Sequence, residues 1–135
     1  EDSFRDLVED PRRVQAELAE GPMLRLVDLE RAVGMRPYAG ERLVSFTLRI
    51  DDPSAPWNAG TWRIEAVDGR MNAERADGEA DVELSANALA PIFTGYRTPE
   101  MLALNGWMKV NRPEALTAMA EAFSVTYPPY CPDWY

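Results

Sequence analysis

The sequence predicts one α+β domain: a largely antiparallel sheet covered by helices. Three observations lead there. Between Leu43 and Asp51 apolar and polar residues alternate, with Val44, Phe46, Leu48 and Ile50 on one side and Ser45, Thr47, Arg49 and Asp51 on the other, the period of a half-buried strand. Asp68-Gly69 separates two more alternating segments and suits the positive φ of a two-residue hairpin turn. Beyond Ser85 the apolar spacing changes to three and four residues, and the chain turns helical. At 135 residues, with no repeat, low-complexity stretch or second composition block, residues 1–135 make a single domain around one core.

The elements follow in order. Asp10 can cap a helix that Pro11 opens and that runs to about Glu20, where Gly21-Pro22 stops it. Met23 to Val27 reads as a short apolar strand. Asp28 caps a second helix with Leu29, Ala32 and Val33 on one face, ended by Gly34 and Pro37. After the Leu43–Asp51 strand, a loop through Pro56-Trp57-Asn58-Ala59-Gly60 leads to a strand over 61–67, which the hairpin pairs with 71–75, and a shorter strand covers 80–85. Ser85 caps a helix over 86–94, Thr98-Pro99-Glu100 starts another through Leu104, and residues 107–110 form a short strand. Asn111-Arg112-Pro113 opens the last helix, with Leu116, Met119, Ala120 and Phe123 toward the core.

Composition excludes several functions. Asp and Glu outnumber Lys and Arg by 23 to 14, and Lys109 is the sole lysine, so no clustered basic surface can grip nucleic acid. An acidic surface of net charge −9 suits polycationic amines, or is simply a soluble surface. With no His and with Cys131 alone, neither an internal disulfide nor a Cys/His zinc site can form. Asp51-Asp52 and Asp77-Glu79-Asp81 lack the ligand spacing of a calcium loop and read as turn and strand-edge residues, so no metal is expected. Neither an apolar run of membrane-spanning length nor a leader peptide opens the chain, so the cytoplasm is the expected compartment. A start at Glu1 rather than Met suggests a longer protein trimmed to this piece.

Candidate chemistry is sparse. The serines have no His to activate them, and Cys131 sits among prolines and aromatics that favour an inert thiol. No Gly-containing turn with a preceding basic residue opens a helix, so the chain alone should not hold coenzyme A. Trp57, Trp62 and Trp107 suit core packing or the wall of a ligand tunnel, core being the expectation. The tail is unusual: residues 127–135 hold four aromatics and three prolines, a stiff extended segment built to dock. A main-chain α-carboxylate ionises near about 3.3 to 3.7, too low for an efficient base, but burial beside aromatic faces raises that value. Tyr135 thus offers a general base through its main chain; a packed structural tail is the other reading.

Several stretches together resemble the C-terminal domain of the enhanced intracellular survival family of acetyltransferases. They are Leu24-Arg25-Leu26-Val27-Asp28 with Glu30-Arg31-Ala32, Arg36-Pro37-Tyr38, Asp52-Pro53 with Pro56-Trp57-Asn58-Ala59-Gly60, Ala80-Asp81-Val82-Glu83-Leu84-Ser85, and the closing Cys131-Pro132-Asp133-Trp134-Tyr135. The resemblance implies a sterol carrier protein 2-like fold, about five strands with helices on one side. It implies acetyl-CoA bound by N-terminal acetyltransferase domains of the same polypeptide, and an acceptor amine, aminoglycoside-like or otherwise polycationic, in the cleft between them and this domain. The terminal carboxylate, here of Tyr135, would be the general base, with Asp133, Trp134 and Met23 lining the pocket. The better-known members end in Phe and form hexamers, and the isolated domain is expected to be inactive. A lipid-carrier module with a tunnel lined by Phe46, Trp62 and Phe123, or a purely structural role in oligomer contacts, are the alternatives.

Overall fold

The computed structural model describes residues 7–10, 12, 23–127 and 129. Helix α1 (Leu29–Met35) is followed by strands β1 (Val44–Asp51), β2 (Gly60–Val67), β3 (Arg70–Arg75) and β4 (Val82–Ser85). Then come α2 (Ala86–Phe93), α3 (Pro99–Leu104), β5 (Met108–Val110) and α4 (Glu114–Ala122). The five strands form one sheet in the order β3-β2-β1-β4-β5. Only β1 and β4 pair in parallel, so the sheet is largely antiparallel, as the sequence predicts.

Register explains why one face is dry. Opposite Leu48 lie Trp62 on β2 and Val82 on β4; Phe46 meets Ile64, which meets Ala73. Every one of these is buried, and they pack with Leu29, Val33, Ala88, Ile92, Leu102, Ala115, Met119 and Phe123 from the helices into one core. The other face carries Thr47 opposite Arg63, Arg63 opposite Glu74, and Glu83 between Arg49 and Lys109, a charge-alternating surface that water can solvate. In the β2–β3 hairpin, Asp68 (φ 47°) and Gly69 (φ 80°) both take the positive φ that a tight two-residue turn needs. The parallel β4 is stapled to β1 by Asp81, whose carboxylate accepts from Thr47 N at 2.7 Å while Asp81 N donates to Thr47 Oγ1 at 2.9 Å. Arg112, bonded to the same carboxylate, is the main cause holding Asp81 below the usual carboxylate range.

Three helix caps match the expected residues: Asp28, Ser85 and Thr98 each accept from a backbone N–H of the first turn. Four details differ. Met23 to Val27 is not a strand, because side chains rather than a neighbouring strand satisfy its backbone, as described below. In α4 the fully buried positions are Ala115, Met119 and Ala122, with Phe123 just past its end; Leu116 and Ala120 are half-buried, because the inward stripe runs through 115, 119 and 122 at helical spacing and leaves them at its edge. Trp57 and Trp107 are exposed and, of the three tryptophans among the described residues, Trp62 alone joins the core, since the first two stand in loops outside the strand alternation. The helix expected over 11–20 lies, apart from Arg12, outside the described residues.

Candidate functional site

Two of the stretches that carry the resemblance meet at one end of the sheet, where β1 runs into the 52–59 loop. Asn58, almost fully buried, accepts from Leu29 N at 3.0 Å and donates through Nδ2 to the carbonyls of Leu26 and Val27, each at 3.1 Å. One amide thus fixes residues 26–28 of an irregular strap entering α1. Trp57 Nε1 donates to Val27 O at 2.7 Å, and Arg75 reaches the carbonyls of Trp57 and Ala59 with its guanidinium 4.0 Å from the centre of the Trp62 ring. Asp52, 1% exposed, accepts from Arg25 and from Ala55 N (3.0 Å) on the same oxygen; Oδ2 has no partner among the described residues. Buried polar groups of this kind hold geometry tightly because leaving one unpaired is costly.

The third stretch, Arg36-Pro37-Tyr38, lies at the other end of α1 and mounts the C-terminal end of α4, where the tail begins. Arg36 lies over the rings of Phe93 (5.1 Å) and Phe123 (5.7 Å) and donates to Phe123 O at 3.0 Å, an orphan carbonyl at a helix C-terminus. Burial lowers the pKa of this guanidinium from its ordinary value. Tyr38 donates its hydroxyl to Glu121 at 2.7 Å, and Arg42 forms a two-oxygen pair with the same carboxylate. Arg42 first, and the Tyr38 hydroxyl second, hold Glu121 down to about 2. Gly95 lets the tail pass: its φ is +75°, and an added Cβ would stand 2.5 Å from a methyl of Val125.

Among the expected pocket residues, Met23 is fully exposed at the start of the strap. Asp133, Trp134 and Tyr135 lie outside the described residues. An open groove of about 490 Å³ lies beside the loop, lined by Arg49, Asp51 and Glu83 together with Ile50, Ala59, Gly60 and Leu84. It is open to solvent and mixes charged with apolar residues, unlike an enclosed apolar tunnel. Phe46 and Phe123, expected to line one, pack edge to face at 6.0 Å inside the core, and Trp62 is buried with them. The helix N-termini at α1, α2 and α3 are occupied by their own caps, and at α1 the cap is a carboxylate, a poor neighbour for phosphate.

In the sequence 52–60 reads as a loop, and the parts played by Asn58, the Arg25–Asp52 pair and the Arg36 sandwich are not legible there. An Arg just past a helix end, next to Pro, was the available signal for the last of these.

A one-sided five-stranded sheet, helices on the dry face and an irregular strap at its entry define an α+β domain of the sterol-carrier type. Residues 29–132 match the sterol carrier protein domain family, and the chain belongs to it. Over 132 residues, 98% of the chain, it is 29% identical to an uncharacterized N-acetyltransferase of Streptomyces avermitilis and 28% identical to one of Streptomyces coelicolor. In both cases it spans 32% of the relative's length, about a third. Among solved structures it is similar to Eis1 from Mycobacterium abscessus (TM-score 0.74, 28% identity, 96% of this chain and 32% of that one). It is also similar to a GCN5-related N-acetyltransferase from Kribbella flavida (TM-score 0.72, 26% identity, 77% and 26%). The resemblance to the sterol carrier protein 2-like domain of the enhanced intracellular survival acetyltransferases is thereby borne out. No helix among the described residues is long and apolar enough to cross a membrane.

Proposed function

We propose that this domain forms one wall of the acceptor site in a longer acetyl-CoA-dependent N-acetyltransferase, the donor being held by an N-terminal acetyltransferase portion of the same polypeptide. The observation that carries the reading is the match of nearly the whole chain to a third of two N-acetyltransferases, over a fold shared with Eis1. The acceptor is an amine, aminoglycoside-like or another polycation, which the net charge of −9 favours. Residue by residue, Tyr135 supplies the general base through its terminal carboxylate, while Asp133, Trp134 and Met23 line the pocket. The Arg36 and Glu121 clusters support it, because they fix the direction in which the chain leaves α4.

In the reaction the neutral amine nitrogen attacks the thioester carbonyl carbon. The C–N bond forms, the C–S bond breaks with its electron pair leaving on the coenzyme A sulfur, and the amine proton passes to the carboxylate, directly or through one water. A proton acceptor aligned in this way accounts for about 10²- to 10⁴-fold in rate. Assembly as a homo-oligomer, a hexamer by analogy with the better-known relatives, belongs to the same reading.

The test is semisynthetic full-length protein ending in an amide at Tyr135. Turnover should fall by about 10²-fold or more with acetyl-CoA affinity unchanged. Unchanged turnover would remove the base assignment.

A further inference from the structure

We infer that the surface formed by Met23, Leu24, Val27 and Trp57 is the face on which the acetyltransferase portion of the same polypeptide docks; this rests on the reading just given. The strap exposes three apolar side chains, Met23 wholly, Leu24 by 56% and Val27 by 67%, and Trp57 joins them at 59%. Trp57 stands beside Val27, its indole N–H bonded to that residue's carbonyl, and Met23 and Leu24 lie four and three residues before Val27 on the same strap. Soluble domains seldom leave such a group uncovered.

The patch is also pre-ordered. Asn58 holds the carbonyls of Leu26 and Val27, and Arg75 holds the carbonyl of Trp57, so the strap and the indole lose little freedom on binding. The only polar atom of the Trp57 side chain is already engaged, leaving an apolar face of the residue type that dominates interface energetics. Arg25 turns its charge back onto Asp52, which keeps the strap free of an unpaired cation where an apolar partner would sit.

The relatives decide the occupant. They are about three times as long as the matched region, so in those relatives a large further portion accompanies it, and the reading above gives this domain the same companion. The strap leads into α1, the first helix of the domain, from the N-terminal side, the side on which the proposed acetyltransferase portion joins. The solvated face of the sheet, with Arg63, Glu74, Glu83 and Lys109 in alternation, offers such a portion no comparable apolar anchor. Met23, at the edge of the patch, then stands where domain contact passes into the acceptor pocket.

The test is cysteine labelling of the full-length protein carrying Val27→Cys, with every other cysteine replaced by Ser. Because Val27 lies on the surface of this domain, an undocked patch would label nearly as fast in the native protein as in urea, whereas docking should slow native labelling by about tenfold or more. A second substitution in that background, Leu24→Asp, should restore fast labelling while leaving the domain folded, since Leu24 takes no part in its core. Native labelling within about threefold of the urea rate would overturn the inference. So would slow labelling that becomes fast on dilution, which would assign the patch to a second copy of the chain. A protein that labels slowly at position 27 yet transfers no acetyl group keeps the interface and removes the function proposed above; one that transfers acetyl yet labels fast removes the interface alone.

Discussion

The strap at one end of α1 and the tail root at the other do the same job with different chemistry. Both fasten an irregular segment to a regular core. The strap is held by a buried neutral amide and an enclosed carboxylate, Asn58 and Asp52, whereas the tail root is held by charges that water reaches, Arg42 and Glu121, around a guanidinium stacked on two rings. A buried hydrogen bond stabilises little when made and costs much when broken, while an exposed ion pair contributes modestly and is tunable by pH and salt. The strap should therefore behave as all or nothing and the root as graded.

The sharpest way to break this contrast is Asn58→Ala, which leaves Leu29 N–H and the carbonyl of Leu26 unpaired in the interior. It should cost about 3 kcal/mol, read as a lowered urea midpoint. A cost below about 1 kcal/mol would mean that water enters the strap and that it is not the rigid part. Next comes Gly95→Ala, which forces a side chain into left-handed backbone against Val125; about 2 kcal/mol is expected, with faster amide exchange at 124–127. Arg36→Met keeps much of the stacked volume but removes the charge and the cap on Phe123, and about 1.5 kcal/mol should be lost. Arg36→Lys should not restore it, since an ammonium cannot stack as a plane does.

The smallest effect is the pH response. Glu121 ionises at about 2 in the fold against an ordinary 4.5, so its share of stability is complete above 4.5 and disappears as the pH falls through that window toward about 2. Tyr38→Phe removes one of the two partners that depress it and should flatten the acid arm of the stability profile. Asn58→Ala should leave that arm unchanged in shape. If both variants altered it equally, the two ends of α1 would not be independent.

Much of the fold was legible because it follows from period and caps. The alternation of Val44 to Asp51 gave β1 almost to the residue, Asp68-Gly69 gave the hairpin, and Asp28, Ser85 and Thr98 gave three helix starts. What misled was the run Met23 to Val27, apolar enough for a strand but satisfied by Asn58 and Trp57, thirty residues away in sequence. Periodicity reports local burial and cannot report a side chain that stands in for a neighbouring strand. The candidate site was legible only as a set of resembling stretches. Their physical meaning, one set building the strap and another the tail root, needed the geometry.

On the proposed function the main-chain end of Tyr135, rather than its ring, does the work. The measurement is kcat of the full-length protein as Tyr135→Ala beside the same protein with one Gly added after Tyr135. Tyr135→Ala keeps the carboxylate in place and should stay within about tenfold of the parent, while the added Gly carries it one residue further and should lower kcat by about 10²-fold or more. The reverse order, with the added Gly harmless and Tyr135→Ala inactive, would contradict it.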